Sequence, residues 1–331
     1  MITQLHLQNW KSFKDSVVYI DPLTFLIGTN ASGKSNVLDA FQFLHLLSKG
    51  LTLEDAATRI RGGEDWLIRQ GESRMKLTVM VDVDGQEKEY SVSVQKDDVG
   101  LKYADNKHVE DAETVVREAL RKIFVLNPNP QAMRNYSKLS KELSADAGNI
   151  AGVIAAMKPE DKKNLEEKLT RYIKPLPERD INRLTAVKVG LSDSDAMLYC
   201  YEDWNPSKPV DAKGMSDGTL RFAAIIVALL TVKEGSLLII EEVDNGLHPS
   251  RAKELVKVLK EISQERHVDV LCTTHNPVLM DELGNEMIPF ISFVKRDEAG
   301  NSYIQLLEDK DNLAKLMASG SVGDMMTNDE L

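Results

Sequence analysis

Eight residues, Gly28-Thr29-Asn30-Ala31-Ser32-Gly33-Lys34-Ser35, carry the spacing G-x-x-x-x-G-K-[ST], and the chemistry of that pattern is phosphate binding. Glycines let the backbone approach phosphate oxygens, and the free amides of a following helix point at negative charge. Lys34 is placed to reach the β- and γ-phosphates of a nucleotide and Ser35 to hold Mg²⁺. Gly28, Asn30, Gly33 and Asn36 complete this nucleotide-binding set. A second constellation is Ser236-Leu237-Leu238-Ile239-Ile240-Glu241-Glu242, an apolar run ending in paired carboxylates. In parallel sheets ligands bind at the C-terminal ends of the strands, so Glu241 is placed to support Mg²⁺ and Glu242 to orient a water for in-line attack. Two further stretches can take anionic oxygen. Met215-Ser216-Asp217-Gly218 opens an apolar helix, and His275 follows a buried run, Val268 to Thr273.

These groups need an α/β frame. Leu23 to Ile27 reads as a buried strand ahead of the loop, and Val37, Leu38, Phe41 and Leu44 recur at helical spacing after it. In the last third, helix Thr219–Val232, strand Ser236–Ile240, helix Pro249–Gln264 and strand Val268–Thr273 alternate, the pattern of a parallel, doubly wound sheet. Ile2 to Trp10 and Val17 to Ile20 read as a hairpin. Leu77 to Val83 and Tyr90 to Val94 form another around Asp84-Gly85, expected in an antiparallel sheet apart from the parallel core. Residues 105–183 change character. Ala112 to Phe124 reads as a helix, further helices follow Asn127-Pro128-Asn129-Pro130, and Lys174-Pro175-Leu176-Pro177 ends the run. This is a helical insertion between an N-terminal lobe (1–104) and a C-terminal lobe (184–331). Val187, Val189 and Leu191 then suggest a hairpin with Leu198, Cys200 and Glu202. Met287 to Val294 and Tyr303 to Leu307 suggest another, before a short terminal helix.

Composition limits the partners. The chain has 331 residues, 52 acidic and 41 basic, for a net charge of −11, so no general polyanion-binding surface is advertised. Cys200 and Cys272 are the only cysteines. Both sit in apolar runs without metal spacing, which suits core packing in a reducing cytoplasm. No secretory signal opens the chain, and the apolar run Phe222–Val232 is too short to span a bilayer. Trp66, Trp204, Tyr201 and Tyr303 form no basic-aromatic stripe, and the remaining histidines carry no metal-ligand spacing.

The order Gly28–Ser35, Met215-Ser216-Asp217-Gly218, Leu237–Glu242 with Gly246-Leu247-His248-Pro249, then Thr274-His275-Asn276-Pro277 resembles ABC-type ATPase heads. It most resembles the prokaryotic ATPases of the AAA class related to RecF, SMC and OLD-type proteins. The group's signature often reads S-D-G-T-L-R, as at Ser216–Arg221 here. Its acidic strand reads I-E-E-P-E-N-G-L-H-P, where Val243 and Asp244 replace Pro and Glu. Asn127–Met133 and Leu143–Val153 also look like the middle of these proteins. The resemblance implies a P-loop ATPase head of α/β class with a flanking antiparallel sheet and a short helical insertion. It implies that two heads sandwich ATP and Mg²⁺, with Gly28–Ser35, Glu241, Glu242 and His275 of one head facing Ser216 and Gly218 of the other. Asp244 and Asn245 then lie at the dimer seam. It also implies a glutamine that senses Mg²⁺, for which Gln131 is the candidate and Gln70 the rival. Lys11, Ser12 and Phe13 fall where related heads touch nucleotide, with a solvated turn as the alternative. An OLD-type chain would continue into a nuclease domain, so the expected effector is a separate protein, a nuclease being one candidate. DNA is a second candidate partner and a membrane is not expected. The reading is an ATPase that gates an effector in DNA maintenance or phage defence; the alternative is a RecF-like loader using ATP as a slow assembly switch.

Overall fold

A computed structural model describes residues 1–98, 100–105, 114–175, 181–190, 192–311, 313 and 320–327. Leu191, Leu176, Pro177, Ala112 and Glu113, included in the elements expected above, lie outside these residues. The chain opens with β1 (Ile2–Trp10) and β2 (Phe13–Tyr19), joined so tightly that Trp10 pairs with Phe13. Then come β3 (Leu23–Ile27), α1 (Lys34–Ser48) and α2 (Leu53–Thr58). The strands β4 (Arg74–Val83), β5 (Gln86–Lys96) and β6 (Leu101–Tyr103) complete the first third. Asp84 and Gly85 turn β4 into β5 with φ of 53° and 80°, the left-handed pair that matches strand twist.

The described residues of the middle third carry the helices α3 (Thr114–Arg121), α4 (Pro130–Met133), α5 (Ile150–Ala156) and α6 (Pro159–Ile173). Phe124, however, is not helical. Ile123–Leu126 is a strand, β7, in parallel register with the acidic strand. The short strand β8 (Ser137–Lys138) joins a second sheet with β9 (Ile181–Val189), β10 (Asp195–Glu202) and β11 (Asn205–Asp211). The last third follows the expected alternation: α7 (Asp217–Thr231), β12 (Leu237–Ile240), α8 (Ala252–Arg266), β13 (Asp269–Thr274) and α9 (Pro277–Leu283). The strands β14 (Ile291–Arg296) and β15 (Ser302–Leu306), then α10 (Val322–Thr327), close it. Met287 lies in a 3-10 turn before β14 rather than in the strand.

Among the described residues the main sheet has 11 strands in the order β6-β5-β4-β1-β2-β15-β14-β3-β13-β12-β7. The antiparallel hairpins are therefore continuous with the parallel core rather than a sheet apart. Among the described residues one registered strand pair, Phe13 with Ser302, joins the halves, and the Ser302 N–H donates to the Ser12 carbonyl beside it at 2.8 Å. Alternation along the parallel strands splits the core between the two faces. Leu23, Phe25 and Ile27 pack with α7, α8, α9 and the second sheet, whereas Leu26, Leu237, Ile239 and Leu271 pack with α1 and the antiparallel half. Both faces are covered, as a parallel sheet requires. Cys200 and Cys272 are buried free thiols.

One buried charge lies at the opposite end of the strands from the phosphate loop. Asp269 starts β13, and burial, with the charge of Asp21 added and the terminal amine opposing, raises its pKa to about 7. An acid raised above its unfolded value binds its proton more tightly when folded, so stability falls as pH rises through 7. Asp269→Asn should stabilise the fold, and the gain should grow by about 2 kcal/mol between pH 5 and pH 8. Denaturant melts at the two pH values read this directly; a gain independent of pH would contradict it.

Candidate functional site

In-register parallel pairing gathers the chemistry at one edge. Ile27 of β3 pairs with Thr274 of β13, and Ile240 of β12 pairs with Cys272. From these strand ends leave Gly28–Ser35, Glu241-Glu242 and His275, which is exposed. The loop is shaped for an anion. Gly28 and Gly33 have φ of 151° and 123°. A Cβ on Gly28 would overlap the Val294 carbonyl oxygen, and one on Gly33 would sit 2.5 Å from Ser302 Oγ. Ser32 Oγ is buried without a hydrogen-bond partner. A cradle of glycines with an orphaned hydroxyl inside it fits phosphate oxygens.

Lys34 begins α1 and is 8% exposed. Its Nζ donates to the carbonyls of Gly28 (2.6 Å) and Thr29 (2.9 Å). Burial lowers its pKa, against the charges of Glu242 and Glu241. Ser35 Oγ donates to Glu241 Oε1 at 2.7 Å, which ties the start of α1 to the end of β12. Two hard oxygens at this spacing suit Mg²⁺. The other carboxylate oxygen accepts from Arg61 Nη2 at 2.6 Å and from Asn127 Nδ2 at 3.4 Å.

Asn127 directly follows β7, so the strand missed in the sequence delivers a residue to the site. Among the described residues no hydrogen bond joins Gln131 to Glu241. Gln131 lies in α4 with its amide N–H on Asn129 Oδ1, and its side chain is exposed. Gln70 instead lines the cavity described below.

Glu242 sits at φ 47°, a left-handed backbone that a non-glycine residue holds only when its surroundings fix it. Here its N–H donates to Thr273 Oγ1 at 2.9 Å, and its carboxylate accepts from Asn245 Nδ2 at 3.1 Å.

Lys11 is not a solvated residue. Its Nζ donates to Asp39 Oδ2 and to the Arg61 carbonyl, both at 2.6 Å, and the Lys11 and Asp39 side chains are 6% and 7% exposed. Burial lowers its pKa, against the bond and charge of Asp39. Asn36 Nδ2 donates to Ser12 Oγ at 2.7 Å, and Trp10 Nε1 donates to the Asn36 carbonyl at 2.7 Å. The turn of the first hairpin is thereby clamped to α1. Beside it opens a cavity of about 780 Å³ lined by Lys11, Arg61, Trp66, Arg69, Gln70 and Asn301. Trp66 is 65% exposed there. Among the described residues no cluster of His, Cys, Asp and Glu forms a separate metal centre.

Ser216 and Gly218 lie at the start of α7. Ser216 Oγ caps α7 by accepting from Thr219 N at 3.1 Å. Arg134 Nη2 donates to the Met215 carbonyl and to Asp217 Oδ1. Among the described residues no hydrogen bond or ion pair joins Ser216 or Gly218 to Gly28–Ser35.

Residues 23–281 match the family described as "AAA domain, putative AbiEii toxin, Type IV TA system". The DNA replication and repair protein RecF of Thermosynechococcus vestitus is 30% identical over 95 residues, which are 28% of this chain and 23% of that protein. The chain therefore matches about a quarter of that relative's length. Solved structures with the same fold include the SMC head domain from Thermotoga maritima, with TM-score 0.55 and 17% identity over 92% of this chain and 98% of the other. An SMC head bound to the C-terminal winged-helix domain of ScpA gives 0.61 and 15% over 92% and 96%. The head with an extended coiled coil, bound to a ScpA domain from Pyrococcus furiosus, gives 0.59 and 14% over 96% and 98%.

Proposed function

Because this chain belongs to that AAA-domain family and is an ATPase head of the SMC and RecF type, we propose that it dimerises around ATP and Mg²⁺ and uses hydrolysis to gate a partner. The observation that carries this reading is the division of the machinery. One strand edge holds Gly28–Ser35, Glu241 and Glu242, while the anion-binding turn at Ser216 and Gly218 belongs to a different part of the same chain. A second copy supplies the missing turn to each nucleotide, and a symmetric dimer closes both sites at once.

Within each site Gly28, Gly33 and the Asn30–Asn36 amides hold the phosphates, and Lys34 leaves its loop carbonyls for the stronger anionic acceptors. Ser35 and Glu241 hold Mg²⁺, which when bound draws charge from the transferring phosphoryl group. Arg61 now occupies one Glu241 oxygen, and Asn127 fills the sensing place assigned above to a glutamine. Glu242 takes the proton of the attacking water, with His275 at the same edge to bond the γ-phosphate. The cavity beside Lys11 and Trp66 has the volume for a base and ribose.

The partner reading rests on the neighbours. SMC heads have been solved with ScpA domains and RecF is a DNA replication and repair protein, which favours a protein effector, DNA, or both. The family description speaks of a toxin system, which favours defence as the setting and leaves a nuclease effector as one form of it. Among the described residues no helix is long and apolar enough to cross a membrane. The RecF match also supports the loader reading, in which ATP is an assembly switch. Phosphate release measured with and without DNA separates the two. A gating ATPase should turn over steadily and respond to its partner, whereas less than about one turnover per minute under both conditions would favour the switch.

A further inference from the structure

Arg251 is among the largest fully buried side chains of the molecule, at 2% exposed. It ends the short turn Pro249–Arg251, where its N–H donates to the His248 carbonyl at 2.9 Å. Its Nη2 lies 3.4 Å from Thr219 Oγ1, which is in turn 2.9 Å from Ser216 Oγ. A Cβ added to Gly218 would come within 2.8 Å of Arg251 Nη1 and 2.9 Å of the Gly246 carbonyl oxygen. The guanidinium is therefore flush against the start of α7. Gly246 lies one residue beyond Asn245, which holds the Glu242 carboxylate. Gly218, at the start of α7, is thus packed against both this guanidinium and the loop that leaves the catalytic strand.

We infer that Arg251 is a positioning residue for the second head's ATP: braced against Gly218 and Thr219, it sets the place of the Ser216 turn. The inference rests on the reading that this turn completes the site of the other copy. It also links the two nucleotides of a dimer, because the loop from Glu242 and the Ser216 turn then move as one body. A residue that acts only across the dimer has a distinctive kinetic signature. Its loss leaves ATP binding to the chain's own loop intact and lowers turnover.

The test uses the full chain. Arg251→Met should keep ATP affinity near wild type while kcat falls about 30-fold, as for removal of a group that places anion donors. Thr219→Val, which removes the hydroxyl facing Arg251 without opening a cavity, should show the same split if Arg251→Met folds poorly. The decisive arm mixes chains. Lys34→Ala lacks a working loop but keeps its Ser216 turn; Arg251→Met has the reverse defect. An equal mixture should regain up to about a quarter of wild-type turnover, since half the dimers then hold one complete site. A mixture of Lys34→Ala with Ser216→Arg is the control. No recovery in the control overturns the shared-site reading and this inference with it. Recovery in the control but not with Arg251→Met and Thr219→Val, or loss of ATP binding by both variants alone, overturns the role of Arg251 only.

Discussion

Lys34→Ala should abolish ATP binding at concentrations that saturate the wild type. The ammonium is nearly buried and already satisfied by the carbonyls of Gly28 and Thr29. It is a preorganised charge that a phosphate recruits by offering better acceptors. Deleting it removes charge-assisted bonds of about 1.5–3 kcal/mol each, so the dissociation constant should rise at least about 100-fold. The same change removes a charge whose burial is unfavourable, as its lowered pKa reflects. Without nucleotide the variant should therefore melt no lower than wild type. Thermal melts separate the two effects. ATP at 100 times its dissociation constant should stabilise the wild type by about 2.7 kcal/mol and leave Lys34→Ala where it was. An equal ATP-induced shift in both proteins would remove Lys34 from the site.

Glu242→Gln should do the opposite: bind ATP and fail to hydrolyse it. The amide keeps the size of the carboxylate and can still accept from Asn245, while the positive-φ backbone remains anchored to Thr273. What disappears is the group that accepts the water's proton, an effect of about 100- to 10,000-fold on turnover. Affinity should hold or improve, because one negative charge near the phosphates is gone. Single-turnover hydrolysis and equilibrium binding measured on the same preparation read the split. Unchanged hydrolysis would remove Glu242 as the base and leave Glu241 or His275 to be tested in its place.

The phosphate loop and the paired glutamates were legible in the sequence because each is a contiguous stretch whose chemistry and flanking apolar run agree. The alternation of strands and helices after Thr219 was legible for the same reason. β7 was not. Ile123–Leu126 follows α3 after a single residue, Lys122, and four apolar residues do not distinguish the end of a helix from a buried strand. Missing the strand hid Asn127. Arg61 and Asp39 were hidden for a different reason, since their roles arise only when the segment after α2 folds over Lys11 and Glu241. Alternation in β4 and β5 correctly announced one packed face. It could not reveal that β1 would pair with β4 and carry the hairpins into the parallel sheet. Neighbouring strands are chosen by tertiary packing, which leaves no local trace.

The central claim is that ATP itself joins two heads. Sedimentation velocity of Glu242→Gln with and without Mg²⁺-ATP tests it most directly, because hydrolysis cannot then dissolve the complex. The expected result is a single chain without nucleotide and a species of twice the mass with ATP, lost again when Lys34→Ala is added to Glu242→Gln. A single chain saturated with ATP, or the same dimer with and without nucleotide, would contradict the account.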